Sequence, residues 1–251
     1  WQSAVRVVAG STGMTGAAAL ASAAAMRSGA GMVHLSAVAT MVSGAPVEVV
    51  QQPLAASGWS DDVVSGLARF HSLVIGPGLG RVESTATDIG RVLSRAALPT
   101  VVDGDALTAL AAGTGVGVLR SRSAATVLTP HGGEYAALAG EAPAGDRAVA
   151  ARRLAADSGA VVLLKGPVTV VADPAGQAWF VDSGDQRLAT AGTGDVLAGM
   201  IGALLAQGLG AMEAAAAAAW VHGRAATVGR PVGLVASDLL DLVPRVIEEF
   251  L

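Results

Sequence analysis

The chain has 251 residues, a net charge of −4 and a hydrophobic content of 52%, so it is long and apolar enough to bury a large core. Only 3% of its residues are aromatic and basic clusters are absent, which argues against a base-stacking nucleic-acid surface. The absence of cysteine excludes disulfides and thiolate metal sites. No segment has the pattern of a signal peptide, and we expect a cytoplasmic protein with no nucleic-acid or membrane partner.

Apolar runs of strand length alternate with segments of helical periodicity, a pattern typical of an α/β fold with a largely parallel sheet. The predicted strands are 5–9, 32–36, 72–75, 100–102, 126–128, 161–164, 169–172 and 178–181. The predicted helices are 16–27, 84–95, 106–111, 133–138, 146–157, 195–207, 212–228 and 238–250. The last two strands are predicted to form a hairpin, because Asp-Pro-Ala-Gly between them supplies turn geometry.

The segment 196–206 is wholly apolar. It is shorter than the roughly 20 residues that span a bilayer, so it predicts a buried core helix. No linker, repeat or low-complexity block divides the chain, and we expect residues 1–251 to form a single domain.

Glycine-rich or acidic turns follow several of the predicted strands. These turns are 10–13, 76–80, 103–105 and 129–134. In open α/β sheets, ligands bind beyond the carboxyl ends of the strands. The turns therefore predict a ligand site at one edge of the sheet.

The turn Gly192-Thr193-Gly194, followed at once by Asp195 and an apolar helix, suits phosphate chemistry. Free backbone N–H groups at a helix N-terminus attract anions, and glycine permits a close approach. We therefore predict Gly192, Thr193 and Gly194 as an anion hole. A carboxylate there would repel phosphate, so Asp195 is predicted to accept a proton from a hydroxyl nucleophile. The alternative is that Asp195 only caps the helix.

Five further polar residues follow predicted strands. Lys165 is the only lysine of the chain, and its loop is predicted to contact a nucleotide phosphate or ribose, with a solvated lysine as the alternative. His131 is either a ligand contact or an ordinary loop residue. Glu134 is predicted to orient Mg²⁺ through water, or else to be a helix-start acid. Asp103 and its neighbour Asp105 are candidates for contact with substrate hydroxyls or with a metal ion. The alternative for Asp105 is that it only caps a helix.

Several common motifs are missing from the sequence. It contains no Gly-x-x-x-x-Gly-Lys-Ser/Thr loop, no full dinucleotide fingerprint and no Gly-x-Ser-x-Gly elbow, which disfavours P-loop proteins, Rossmann dehydrogenases and α/β-hydrolases. His34, His71 and His222 have no metal-like spacing and are interpreted as structural.

Five motifs follow one another along the chain: VAGSTGMTGA (8–17), IGPGLG (75–80), LTPHGGE (128–134), LKGPVT (164–169) and LATAGTGD (188–195). In this order they are similar to the motifs of the ADP/ATP-dependent NAD(P)H-hydrate dehydratases of the ribokinase-like superfamily. The Gly-Thr-Gly-Asp turn is shared with sugar and vitamin kinases, whereas the first and third motifs favour the dehydratase. The resemblance covers essentially the whole chain and implies a three-layer αβα sandwich with a largely parallel central sheet.

The resemblance also implies a repair reaction. A nucleotide, ADP or ATP, phosphorylates the ring hydroxyl of hydrated NADH or NADPH, and phosphate then leaves to restore the double bond. Asp195 is implied as the base, and Mg²⁺ as the cofactor, with Glu134 and Asp103 contacting it through water. The implied nucleotide-binding residues are Lys165, Gly166, Pro167, Val168, Thr169 and Gly194. The implied substrate-binding residues are Ala17, Gly78, His131 and Asp195.

Two departures from the family pattern are small: Gly104 replaces a usual alanine, and Gly132 a frequent proline. Many relatives carry an N-terminal epimerase domain, for which this chain has no room. The chain is therefore expected to be either a separated domain or a naturally single-domain protein, with an epimerase as an attached domain or as a partner. By the same resemblance we expect a homo-oligomer, a tetramer in relatives. Two other functions stay open: a kinase for a hydroxymethylpyrimidine or thiazole alcohol, and a nucleotide-sensing module without catalysis.

Overall fold

A computed structural model describes residues 2–113, 115–143 and 145–250. Nine strands form one sheet in the order β3-β2-β1-β4-β5-β6-β7-β8-β9. The strands are β1 (Ala4–Ser11), β2 (Met32–Val38), β3 (Val50–Gln51), β4 (Ser72–Ile75), β5 (Thr100–Val102), β6 (Thr126–Leu128), β7 (Val161–Leu164), β8 (Thr169–Ala172) and β9 (Ala178–Val181). Pairing is parallel from β3 through β7 and antiparallel from β7 to β9, which confirms the largely parallel sheet and the terminal hairpin.

Helices cover both faces of the sheet and complete the three layers. The helices are α1 (Thr15–Arg27), α2 (Ser60–Ser65), α3 (Glu83–Arg95), α4 (Asp105–Ala112), α5 (Gly132–Ala139), α6 (Arg147–Ser158), α7 (Thr193–Ala206), α8 (Ala211–Val228) and α9 (Ala236–Glu248). One apolar core joins α1, α7, α8 and α9 to the sheet. A second core joins α2 through α6 to the opposite face.

The structure contains every predicted strand and helix, with ends that shift by a few residues. Two short elements, β3 and α2, were not predicted. The first has only two residues, which is too short for a period-2 pattern. The second has six residues, and its start is held from outside, because the Asp88 carboxylate of α3 accepts hydrogen bonds from the N–H groups of Gly58 and Ser60.

Helix α7 runs through the first core, as its apolar sequence predicts. Glycine lets it approach its neighbours closely. A Cβ at Gly199 would lie 2.1 Å from the Ala21 carbonyl oxygen of α1, and one at Gly202 would lie 2.3 Å from Cγ2 of Val74 on β4. Within the described ranges, no helix is long and apolar enough to cross a membrane.

The loops that follow β1, β4 and β5 meet at the carboxyl edge of the parallel strands. The N–H of Gly10 donates to the Pro77 carbonyl at 2.8 Å, which joins the first two loops. Gly76 has φ +127°, and a Cβ there would lie 1.8 Å from the Asp103 carbonyl oxygen. Only glycine fits at that position, and the contact brings the turn after β4 against the turn after β5.

Candidate active site

The N-terminus of α7 offers two free backbone donors. Gly192 caps the helix with φ +91°, and the Val196 N–H donates to the Gly192 carbonyl at 3.2 Å. The helix therefore begins at Thr193, two residues before its predicted start. Among the described residues, neither the Gly194 N–H nor the Asp195 N–H has a hydrogen-bond partner, which leaves both available to an anion.

Thr193, predicted as part of the anion hole, is buried and faces its own turn. Its Oγ1 lies 2.7 Å from the Leu188 carbonyl oxygen and 2.9 Å from that of Thr190. Its N–H also points to the Thr190 carbonyl, at 3.4 Å. The Thr193 side chain thus shapes the turn, while the free donors belong to Gly194 and Asp195.

Asp195 is the acidic residue in the first turn of α7. Burial and, after it, the nearby Asp103 carboxylate raise the pKa of Asp195 to about 7, although Lys165 opposes the shift. A carboxylate with a pKa near neutrality is suited to accept a proton from a substrate hydroxyl.

Lys165, at the end of β7, faces an acid cluster formed by Asp103, Glu134 and Asp195. Its Nζ lies 3.0 Å from Oδ1 of Asp103 and 3.8 Å from Oε2 of Glu134. Burial lowers the pKa of Lys165, but attraction to Asp103 and Glu134 outweighs it, so that the pKa is raised. A Cβ at Gly194 would lie 3.3 Å from the same Nζ, so the ammonium rests against the first turn of α7.

The remaining members of the acid cluster are held by the turns after β5 and β6. Asp103 is buried, and its Oδ1 also accepts a hydrogen bond from Oγ1 of Thr129 at 2.6 Å. Glu134 caps α5, because its Oε2 accepts from the His131 N–H at 2.8 Å. Burial raises the pKa of Glu134, although Lys165 opposes the shift. Both carboxylates therefore reach the ammonium from neighbouring strands.

His131 contributes to the same turn and keeps an exposed ring. Its Nδ1 accepts from the N–H groups of Gly133 and Glu134, so in the neutral ring the proton lies on Nε2. The side chain is 61% exposed. His131 is thus oriented by its own helix start and remains accessible to a ligand.

The acid cluster has limited capacity for a metal ion. Within the part of the chain that the structure describes, no three His, Asp or Glu side chains are grouped as a metal site. Oδ2 of Asp103 and Oε1 of Glu134 accept no hydrogen bond from described residues. Two free carboxylate oxygens can contact a hydrated divalent cation through its water molecules, but are too few to hold the ion alone.

The two predicted substrate residues of the first loops lie side by side. Gly78 has φ +62°, and a Cβ there would lie 3.0 Å from Cβ of Ala17. One turn further along α1, Leu20 packs against the cap of α7, since a Cβ at Gly192 would lie 2.6 Å from its Cδ1. Ala17 and Gly78 therefore share the sheet edge with the anion site.

Asp105 and Arg147 have supporting contacts at this edge. Asp105 accepts hydrogen bonds from the Gly80 N–H and from Nε of Arg81, each at 2.9 Å, and so joins the turns after β4 and β5. Nη2 of Arg147 donates to the Lys165 carbonyl at 2.7 Å, and a Cβ at Gly166 would lie 2.4 Å from that nitrogen. Arg147 was not predicted, because nothing distinguishes it from other arginines of a predicted helix.

The architecture is a three-layer αβα sandwich with a candidate anion site at the carboxyl edge of its parallel strands. A family model described as NAD(P)H-hydrate dehydratase matches residues 5–243. The chain belongs to the NAD(P)H-hydrate dehydratase family.

Curated relatives support the same membership. The chain is 46% identical over 224 residues to the bifunctional NAD(P)H-hydrate repair enzyme Nnr of Mycobacterium leprae, covering 88% of this chain and 45% of that protein. It is 37% identical over 246 residues to the ADP-dependent (S)-NAD(P)H-hydrate dehydratase of Neisseria meningitidis, covering 93% of this chain and 79% of that protein. The chain thus spans about half the length of the bifunctional relatives it matches.

A solved structure has the same fold over nearly its whole length. It is the ADP/ATP-dependent NAD(P)H-hydrate dehydratase from Bacillus subtilis, co-crystallized with ATP/Mg²⁺ and soaked with CoA. The two structures superpose with a TM-score of 0.85, and their sequences are 30% identical. The match covers 99% of this chain and 92% of the B. subtilis chain.

Proposed function

We propose that this chain restores NADH and NADPH from their (6S) hydrates in a reaction that consumes ADP or ATP, acting as one dehydratase domain over residues 1–251. The proposal depends on one observation. At the start of α7, a base lies beside two backbone N–H groups that have no hydrogen-bond partner among the described residues. Asp195 has a pKa of about 7, and the free donors are its own N–H and that of Gly194. The family relationship supports the choice of substrate.

The reaction divides into phosphorylation and elimination. Asp195 removes the proton of the ring hydroxyl, and the oxygen bonds to the terminal phosphorus of the nucleotide as the bridging P–O bond breaks. The N–H groups of Gly194 and Asp195 stabilise charge on the transferring phosphoryl group. The ring C–O bond then breaks, its electron pair leaves with phosphate, and a proton leaves the neighbouring ring carbon. Phosphate departs far more readily than hydroxide, which explains the need for a nucleotide.

Mg²⁺ is the proposed cofactor, and its chemistry is to neutralise the nucleotide phosphates. Asp103 and Glu134 would contact its water shell through the two oxygens that hold no hydrogen bond. The Mg²⁺ and ATP named for the structure from B. subtilis support this assignment.

We assign the two ligands to separate sets of residues. The nucleotide contacts Gly194 and the loop that contains Lys165, Gly166, Pro167, Val168 and Thr169. The hydrated dinucleotide contacts Ala17, Gly78, His131 and Asp195. Support comes from the packing of Ala17 against Gly78 and from the ammonium of Lys165 beside Gly194.

Recovery of the absorbance of reduced nicotinamide tests the proposal. Hydrated NADH or NADPH is incubated with Mg²⁺ and either ADP or ATP, and inorganic phosphate is measured in parallel. We expect recovery with the wild type and a loss of at least about 10²-fold in Asp195→Asn, with nucleotide binding retained. A stable phosphorylated product without absorbance recovery indicates a small-molecule kinase instead. Nucleotide binding without any turnover indicates a sensing module.

Replacing Lys165 tests the assignment of the two ligands. Lys165→Ala is expected to weaken nucleotide binding more than dinucleotide binding, because the ammonium lies against Gly194. Calorimetry with each ligand separately measures both affinities. A larger loss for the dinucleotide would reassign the 165–169 loop to the other ligand.

We also propose a cytoplasmic homo-oligomer, a tetramer as in relatives, that works beside a hydrate epimerase. The bifunctional naming of the relatives supports the epimerase partner. Sedimentation velocity tests the oligomer, and a species of 24.6 kDa, the mass of one chain, would contradict it.

A further inference from the structure

Arg81 is an exposed arginine at the end of the turn after β4, and the proposed reaction does not use it. The turn carries Gly78, which is assigned to the hydrated dinucleotide, and Arg81 follows three residues later. The Arg81 side chain is 73% exposed, whereas that of its partner Asp105 is only 11% exposed. A nearly buried carboxylate thus holds this guanidinium in a defined position while leaving it accessible to a ligand.

The contact between the two residues uses one edge of the guanidinium. Nε of Arg81 donates to Oδ1 of Asp105 at 2.9 Å, and Oδ2 of Asp105 accepts from the Gly80 N–H at 2.9 Å. Both carboxylate oxygens are therefore engaged, and the ion pair has a single hydrogen bond instead of the bidentate form. Among the described residues, Nη1 and Nη2 of Arg81 have no hydrogen-bond partner. The N–H donors of both Nη atoms thus remain open to a ligand.

The turn that carries Arg81 is fixed against its neighbours from two sides. Oγ of Ser11, after β1, donates to the Gly78 carbonyl at 2.9 Å, and a Cβ at Gly80 would lie 3.6 Å from the same Oγ. On the other side, the Gly80 N–H is bound by Asp105 of α4. Since Gly80 directly precedes Arg81, the guanidinium starts from a backbone that is held in place, which reduces the entropy lost when it binds.

The order of the strands separates Arg81 from the loop assigned to the nucleotide. Strands β5 and β6 lie between β4 and β7. Because neighbouring strands are about 4.8 Å apart, the ends of β4 and β7, from which Arg81 and Lys165 extend, are roughly 14 Å apart. Ala17 and Gly78, in contrast, lie side by side on the same side of the site as Arg81. The dinucleotide is therefore the ligand whose phosphates come within reach of this guanidinium.

The open edge of the Arg81 guanidinium matches a phosphate group in charge and shape. Its Nη1 and Nη2 atoms form a planar fork that can donate two parallel hydrogen bonds to two oxygens of one phosphate. The hydrate of NADH has such oxygens in its pyrophosphate, and the hydrate of NADPH has them in its 2′-phosphate as well. Both groups present the same chemistry to an arginine.

We propose that Arg81 binds a phosphate group of the hydrated dinucleotide through Nη1 and Nη2, while Asp105 holds its Nε. The inference rests on the proposed function for the identity of the dinucleotide. The phosphates are remote from the ring hydroxyl that reacts. Arg81 therefore contributes to substrate affinity and leaves the chemical step unchanged.

Three substitutions separate a phosphate contact from support of the turn. Arg81→Met removes the charge and keeps the apolar stem, whereas Arg81→Lys keeps a charge that can pair with Asp105 but lacks the planar fork. Arg95→Met is the matched control, because Arg95 is also an exposed arginine paired with an aspartate, Asp61. It is the last residue of α3, about 18 Å along the helix axis from the first.

Calorimetric binding of NADH and NADPH, measured without a second nucleotide, gives the first readout. We expect Arg81→Met to weaken the binding of NADPH about tenfold and Arg81→Lys about threefold, on the scale of losing hydrogen bonds to a charged group. Arg95→Met is expected to match the wild type. An equal loss for both dinucleotides identifies the pyrophosphate as the contact, and a loss confined to NADPH identifies the 2′-phosphate. Unchanged affinity for both in Arg81→Met would overturn the proposal.

The dependence of this affinity on ionic strength separates a direct contact from a structural role. Salt screens the attraction between an exposed guanidinium and a phosphate. The affinity of the wild type should therefore fall more steeply between about 50 and 300 mM NaCl than that of Arg81→Met. Parallel salt dependences would show that Arg81 acts only by supporting the turn, which would overturn the proposal.

The absorbance assay separates this inference from the proposed function. We expect Arg81→Met to raise the KM for the hydrated dinucleotide about tenfold, with kcat and the KM for ADP or ATP within about twofold. Turnover by the wild type with an unchanged KM in Arg81→Met would refute the inference alone. Binding of NADPH that depends on Arg81, without any turnover, would refute the proposed function alone. A wild type that neither binds nor produces the dinucleotides would refute both.

Discussion

At the scale of the residue, the decisive feature is the balance of charge around Asp195. Its carboxylate is buried beside Asp103, and Lys165 is the cation that opposes the repulsion. The ammonium is shared, since it also contacts Glu134. Asp195 is therefore only partly compensated, which makes it a stronger base than an exposed aspartate and keeps it usable near neutral pH.

The first prediction concerns the pH dependence of turnover. Because Asp195 must be ionised to accept a proton, kcat/KM is expected to rise with pH through an apparent pKa of about 7 and then level off. The measurement is the absorbance assay between pH 5 and 9 at saturating nucleotide. A rate that is flat from pH 5 to 9 would exclude Asp195 as the base.

The second prediction concerns the neighbours of Asp195. Lys165→Met removes a charge that lowers the pKa of Asp195, so the rising limb should move to higher pH. Asp103→Asn removes a charge that raises it, so the limb should move to lower pH. The two profiles are compared with that of the wild type. Shifts in the same direction would show that the acid cluster does not control the base.

The sequence predicts the individual site residues better than their contacts. Asp195 is marked by the glycines that precede it, and Lys165 by its uniqueness. Their pairing cannot be predicted locally, because the Lys165–Asp103 contact spans 62 positions and depends on the order of the strands. The inward turn of the Thr193 hydroxyl likewise depends on which carbonyls the folded loop presents.

At the scale of the element, α6 supports the loop after β7. Arg147 lies at the start of α6 and donates to the carbonyls of Leu164 and Lys165 at 3.3 and 2.7 Å. The helix thereby fixes the loop assigned to the nucleotide.

The third prediction follows from this support. Arg147→Met is expected to raise the KM for the nucleotide about tenfold, since hydrogen bonds from a charged group contribute about 1.5–3 kcal/mol, while the KM for the dinucleotide changes little. Arg152→Met is the control, because Arg152 lies on the same helix and its Nε donates to the Gly176 carbonyl in the distant hairpin. Equal effects of the two substitutions would contradict the specific role of Arg147.

Elements with strong periodicity or a buried apolar run are predictable, and elements held by tertiary contacts are not. The strand Val161–Leu164 and the helix Thr193–Ala206 are evident from sequence. The helix Ser60–Ser65 contains two exposed aspartates and is stabilised from α3 by Asp88. The true start of α7 was missed because the glycines at its N-terminus are poor helix formers that here serve the cap and the free N–H groups.

At the scale of the whole molecule, the site reduces stability. Asp195 has a pKa of about 7 in the folded chain and an ordinary pKa of 3.8 when unfolded. The folded state therefore binds the extra proton between these values, and stability falls as pH rises through that interval. Above about pH 7 the loss is complete, because both states are then ionised.

The fourth prediction uses that linkage. Asp195→Asn removes the ionisation, so its melting temperature should exceed that of the wild type by at least about 3 °C at pH 8. The difference should shrink as pH falls from 7 and vanish near pH 4. Calorimetric scans across this range measure it. A difference independent of pH would show that the charge of Asp195 is not the cause.

The contacts of α7 also bear on how this protein can be redesigned. Gly199 and Gly202 leave no room for a side chain, so libraries that vary α7 will mostly yield unfolded variants. A Cβ at Gly16, in contrast, would meet no atom within 4 Å. Laboratory evolution toward a different phosphate acceptor should therefore begin at the start of α1, keeping α7 as a constant part of every variant.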